Sequence, residues 1–176
     1  MHCIYFVLVD SDTAKTSEQA RVFTHSMLQE EGFVDGGYFG GGIADWFVIG
    51  GRWSGELQAA KLGIDFDTVA EMLIHPKSDF GLSTDEIEAH GLELQKAWTK
   101  AGGQGTHPYS RDSYQEYGYD DDAIILDTAL AENLKRKWKD TKDIDVFNHN
   151  DYDTFNLHKL TEEHNGNWLV VVDYHS

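Results

Sequence analysis

Residues 3–9, Cys-Ile-Tyr-Phe-Val-Leu-Val, and residues 168–172, Trp-Leu-Val-Val-Val, are apolar at every position. Neither stretch offers a polar face in the two-residue period of a strand, so each reads as a strand buried on both sides and central in its sheet. Antiparallel pairing of the two would bring the start of one to the end of the other. His2 then falls near Asp173, Tyr174 and His175, a terminal cluster of metal-ligating residue types.

Between them, residues 43–57 read as two short strands joined by Gly50-Gly51, a pair suited to a two-residue primed turn. In that register Val48 faces Trp53 and Trp46 faces Gly55, whose missing side chain leaves room for the indole. Ala44, Trp46, Val48, Trp53, Gly55 and Leu57 share one apolar face. Asp45, Phe47, Ile49, Arg52, Ser54 and Glu56 share the other, a mixed one.

The remaining elements follow from caps and stops. Thr16-Ser17-Glu18-Gln19 opens a helix with Ala20, Phe23, Met27 and Leu28 inward, ended by Gly32. The glycine-rich residues 35–42 read as a connection, without the Lys-Ser/Thr ending of a phosphate loop. Asp67 caps a short helix ended by Pro76. Ser83-Thr84-Asp85-Glu86 opens a helix to about Lys100, with His90 on its inner stripe as a core-edge histidine. Residues 101–122 lack periodicity and read as a long loop or insertion. Ala123 to Leu126 suit a short strand, Asp127 or Thr128 a helix cap, and residues 144–147 a further strand. No internal repeat or domain boundary is visible, so residues 1–176 read as a single α+β domain. The expected architecture is a mainly antiparallel sheet with helices packed on one face, ferredoxin-like or related, around the Trp/Gly-rich hairpin.

The formal net charge of −17 bears on association rather than fold. It argues against direct nucleic-acid binding and against anionic membranes, and no run of about 18 apolar residues suggests a membrane span. Solubility accounts for such a charge; so would a surface made for a basic protein partner. Lys135-Arg136-Lys137 with Lys139 forms a small basic island. The single Cys3, at the start of a buried strand, excludes an internal disulfide and suits a cytoplasmic setting.

Two groups of residues invite chemistry. His149, Asp151 and Asp153 are the right types for a divalent metal, the one cofactor the sequence suggests, although the segment matches neither the zinc nor the calcium spacing. Asn and Asp in such a run also serve turns. Arg52, beside the Gly50-Gly51 turn with Asp45 and Ser54 on its side, suits an anion. The alternative is an Arg52 stacked on Phe47 and paired with a carboxylate. No nucleophile elbow accompanies either group.

Asp45-Trp46-Phe47, Ile49-Gly50-Gly51-Arg52-Trp53-Ser54-Gly55 resembles a pattern found in uncharacterised proteins of bacteriophage and bacterial genomes. The resemblance implies a phage-encoded accessory protein, in the cytoplasm of a bacterial host, and no mechanism. Three functions are therefore expected to compete. The first is a non-enzymatic accessory protein whose acidic surface binds a basic protein. The second is a small enzyme or binding protein for an anionic, phosphorylated small molecule held by Arg52, Gly50, Gly51 and the glycine loop. The third is a divalent-metal hydrolase on residues 143–164.

Overall fold

The computed structural model describes residues 1–34, 42–63, 83–107 and 115–176. The helix expected at 67–76, the glycine-rich connection at 35–41, residues 108–114 of the expected loop and the side chains of Ile87 and His90 lie outside the described residues. The chain is a mixed α+β fold built on one six-stranded sheet. In chain order the elements are β1 (His2–Val9), α1 (Ser17–Glu30), β2 (Trp46–Ile49), α2 (Glu56–Leu62), α3 (Thr84–Lys100), β3 (Ala123–Ile125), α4 (Thr128–Lys137), β4 (Asp145–Asn148), β5 (Asp153–Asn156) and β6 (Trp168–His175).

The sheet order is β2-β6-β1-β4-β5, with β3 also on β6. The two apolar strands are central and antiparallel along their whole length, from His2 opposite His175 to Val9 opposite Trp168. The ferredoxin-like order is not confirmed: β1 lies parallel to β4, the first strand of the β4–β5 pair.

The expected hairpin does not form. Only its first half is a strand, and that strand pairs with β6, Trp46 opposite His175 and Ile49 opposite Val172. The chain then leaves the sheet through a 3-10 turn at Gly51–Trp53 and enters α2. β6 is longer than the second half of the hairpin and largely apolar on both faces, so pairing with it buries Ile49 and half-buries Trp46, Phe47 and Val48. Where β2 ends, the Gly50 N–H donates to the Val171 carbonyl at 2.8 Å, and β3 continues the same edge from Val170 to Trp168. The outer edge of β6 is thus covered by one strand made of two distant pieces.

Helices pack on both faces of the sheet, not on one. Ile4, Phe6, Leu8, Val146, Leu169 and Val171 form one core with Leu57 and Ala60 of α2 and Leu130, Ala131 and Leu134 of α4. Tyr5, Val7, Val9, Phe147, Val170 and Val172 form the other with Ala20, Met27 and Leu28 of α1 and with Phe33 and Ile49. Strands apolar on both sides require this, because a bare face would leave half of each strand in water. The helix starts follow the sequence: Thr16 accepts from the Gln19 N–H at 3.1 Å, Asp127 from the Leu130 N–H at 2.7 Å, and Ser83 and Glu86 form a reciprocal capping box. α1 ends at Gly32 (φ 75°), past which the Phe33 N–H returns to Leu28. Among the described residues no helix is long and apolar enough to cross a membrane.

One ion pair joins the helices on the α2/α4 side. Glu56 is only 3% exposed and pairs with Lys137, so one member of the basic island faces inward. A buried Glu56 without that partner would be strongly unfavourable. Replacing the fully buried Leu134 by Ala is expected to lower unfolding free energy by about 2–5 kcal/mol in urea denaturation. The exposed Leu92→Ala on α3 is expected to change it by less than about 0.5 kcal/mol.

Candidate functional site

The segment after β2 is shaped by two buried carboxylates. Asp122, fully buried at the end of a short 3-10 turn, accepts the Tyr119 N–H at 2.8 Å, the Gly55 N–H at 3.1 Å and the Ser54 hydroxyl at 3.1 Å. Asp173, 2% exposed on the central strand β6, accepts the Arg52 N–H at 2.8 Å and lies 3.0 Å from His2 Nδ1. Buried carboxylates are tolerated when donors surround them. A strand would commit alternate N–H groups to a partner strand. A turn running into a helix start leaves them free, and here they close on the two carboxylates.

The glycines are there for contact with these groups. A Cβ on Gly50 (φ 75°) would stand 2.1 Å from Asp122 Oδ2, and one on Gly51 (φ 55°) would stand 2.4 Å from Asp173 Cβ. Gly50, Gly51 and Ser54, expected to face a ligand, instead enclose the aspartates. On the other side Arg21 of α1, 6% exposed, donates to the carbonyls of Tyr117 at 3.0 Å and Gly118 at 2.8 Å and to Asp120 Oδ1 at 2.6 Å. Arg21 thereby fixes the loop that delivers Asp122. His25, four residues on along the same helix face, packs on Phe47 and Tyr117, and burial pushes its pKa down against the pull of Glu116.

What this scaffold presents is Arg52. Its backbone is held by Asp173, the residues after it by Asp122, and its side chain is exposed. Neither the expected stacking on Phe47 nor a carboxylate partner is present among the described residues. Phe47 packs instead against His25 and Phe33. Register brings to the same end of the sheet the terminal cluster that the sequence had placed apart from Arg52. The His2 ring lies edge-on to Trp46 at 5.3 Å and to His175 at 5.8 Å, and Trp46 stacks on His175 at 10° and 5.7 Å. Each histidine is oriented through Nδ1 by a carboxylate: His2 by Asp173, and His175 by the exposed Asp45 at 3.1 Å. An Nδ1 hydrogen bond of this kind fixes the ring and leaves Nε2 to outside chemistry. The Nε2 of His175 lies 3.0 Å from the Met1 nitrogen, while that of His2 has no partner among the described residues.

His149, Asp151 and Asp153 sit at the β4–β5 turn and do not converge. The His149 ring packs on Phe23 at 4.7 Å with Nδ1 unpartnered, Asp151 accepts from Asn148 Nδ2 at 2.9 Å, and Asp153 lies opposite Asn148 in the ladder. Among the described residues no group of three or more His, Cys, Asp or Glu side chains is placed to hold a metal ion. A cleft of about 250 Å³ between α4 and residues 160–165 is lined by none of the candidate ligand- or metal-binding residues, though Lys135 of the basic island borders it.

Asp122 and Arg21 were not legible as site builders. The one available signal was the density of Gly and Ser in residues 50–55, which calls for a close neighbour as readily as for a hairpin turn. Burial, and next the neighbouring Asp121, raise the Asp122 pKa from 3.8 to about 6. The folded state therefore binds this proton more tightly than the unfolded chain. The stability this confers is complete below about pH 4 and is lost as pH rises through about 6. Relative to Asp122→Asn, the unfolding free energy of the parent protein is expected to fall by about 1.4 kcal/mol per pH unit across that window, measured by urea denaturation. Gly50→Ala, which meets both a positive φ and the Asp122 carboxylate, is expected to cost about 2 kcal/mol or more in the same measurement. Compared with protein-family models, with curated proteins and with solved structures, the chain has no significant match.

Proposed function

We propose that this protein binds an anionic small molecule, of the phosphate or carboxylate class, at the end of the sheet formed by β1, β6 and β2. The observation that carries this reading is the exposed Arg52 side chain, without an ion-pair partner among the described residues, on a backbone locked on both sides by buried carboxylates. A guanidinium carried on a fixed backbone loses less freedom on binding than one on a mobile loop, and its planar fork suits phosphate and carboxylate oxygens. His2, set by Asp173, adds a second nitrogen on the same side, and the Trp46–His175 stack offers an aromatic surface beside it.

A second reading, recognition of a basic protein partner, is favoured by a separate observation. The β4–β5 pair is flanked by Asp143, Asp145, Asp151 and Asp153, all exposed. Burial first, and then the neighbouring Asp143, raise the Asp145 pKa.

Thermal-shift titration with inorganic phosphate, pyrophosphate and nucleoside monophosphates tests the first reading. At least one probe is expected to raise Tm in the parent protein. Arg52→Ala is expected to weaken that binding roughly 10- to 100-fold, the loss of one charge-assisted contact, and Arg52→Lys less. Because the side chain is exposed, the Tm without ligand is expected to stay unchanged. A shift that survives Arg52→Ala would contradict the assignment, and so would the lack of any shift.

A further inference from the structure

The sheet ends at β5, whose outer edge has no paired strand among the described residues. The Leu157 N–H donates to the Ile144 carbonyl at 2.9 Å, which extends the β4–β5 register by one pair and sets its phase. Leu157, Phe155 and Asp153 turn their backbone groups toward β4, so Thr154 and Asn156 direct theirs outward. Neither has another backbone partner among the described residues. Edge strands are ordinarily guarded by lysine, proline, a bulge or a covering element. Asp153-Thr154-Phe155-Asn156 has none of these within it.

Charge selects what such an edge admits. Asp153 lies on the strand itself, Asp145 stands opposite Asn156, and Asp143 and Asp151 flank the pair at its two ends. Lys142 and Lys159 are the neighbouring cations, both at the Asn156 end. A second copy of this chain, carrying the same net charge of −17, is repelled as a whole. An extended segment with lysine or arginine at alternate positions meets complementary charge on the side chains and free hydrogen-bonding groups on the backbone.

We propose that the outer edge of β5 accepts an extended, lysine- or arginine-rich segment of a partner protein as an added strand. This inference rests on the reading of a basic protein partner and gives it a place and a mode: backbone bonds to Thr154 and Asn156 supply the pairing, and the aspartates supply the selection. It is independent of the Arg52 site, which lies at the β2 side of the sheet.

The test uses the full chain and two synthetic peptides of equal charge. One alternates lysine with valine and threonine; the other carries proline in place of the valines and threonines and cannot pair as a strand. Binding is followed by amide NMR shifts and by fluorescence anisotropy. The first peptide is expected to bind roughly tenfold or more tightly than the second, with the largest amide shifts at Thr154 and Asn156. Its affinity is expected to fall as NaCl rises from about 0.02 to about 0.2 M. Thr154→Pro removes an outward N–H without touching the ladder to β4, and is expected to reduce the first peptide to the level of the second. Should that variant not fold, the shift map of the unmodified protein decides by itself. Equal binding of both peptides would overturn the edge proposal and leave an acidic surface of no fixed geometry. Shifts centred away from β5, or binding unchanged by Thr154→Pro, would also overturn it. Binding of neither peptide would remove the basic-partner reading as well.

Discussion

Two carboxylates taken out of water dictate the middle of this fold. Asp173 sits on the central strand β6 and Asp122 at the start of β3. Each needs donors, because an unpaired buried charge costs several kcal/mol. The same six residues, Gly50 to Gly55, serve both: the Arg52 N–H turns to Asp173, while the Gly55 N–H and the Ser54 hydroxyl turn to Asp122. That demand explains the positive φ at Gly50, Gly51 and Gly55, the 3-10 turn, and the start of α2 directly after it. It also explains how β2 and β3, some seventy residues apart, form one continuous edge along β6. Asp122 is the stitch where one piece leaves and the other enters.

The structural consequence is an exposed arginine on a stiff base. Arg52 is carried by the residues that the two aspartates immobilise, and Asp173 also sets His2, so one carboxylate organises a backbone amide and an imidazole at the same place. α1 reinforces the arrangement from the opposite side through Arg21, whose contacts with residues 117–120 fix the approach to Asp122. A separate group of exposed carboxylates, Asp143, Asp145, Asp151 and Asp153, lies around β4 and β5. The sheet thus carries a cation, oriented imidazoles and the exposed Asp45 near its β2 side, and a group of aspartates at its β5 edge.

The central pair of strands was legible because its signal is local and redundant. Residues 3–9 and 168–172 are apolar on both faces, and their antiparallel pairing placed His2 beside Asp173 and His175 as the structure has it. The helix caps at Thr16, Ser83 and Asp127 were legible for the same reason, each being a side chain meeting an N–H three residues on. The hairpin was not. Gly50-Gly51 between apolar runs satisfies the local pattern, but the pairing partner of β2 is a longer strand more than a hundred residues away. Asp122 was hidden because aspartate in a run of three reads as surface, and only the three-dimensional enclosure by Gly50, Ser54, Gly55 and Gly118 makes it a core residue. The two-faced apolarity of the central strands already required helices on both sides, a requirement stronger than the element order that suggested one.

Native-state hydrogen exchange at the amides of Arg52, Gly55 and Tyr119 tests most directly whether the two carboxylates hold the turn. None of the three lies within a strand of the sheet, and each donates to Asp122 or Asp173. They are expected to exchange nearly as slowly as the Val171 amide on the central strand beside them. Exchange at the rate of an open loop, with Val171 still protected, would contradict the central role assigned to the buried aspartates.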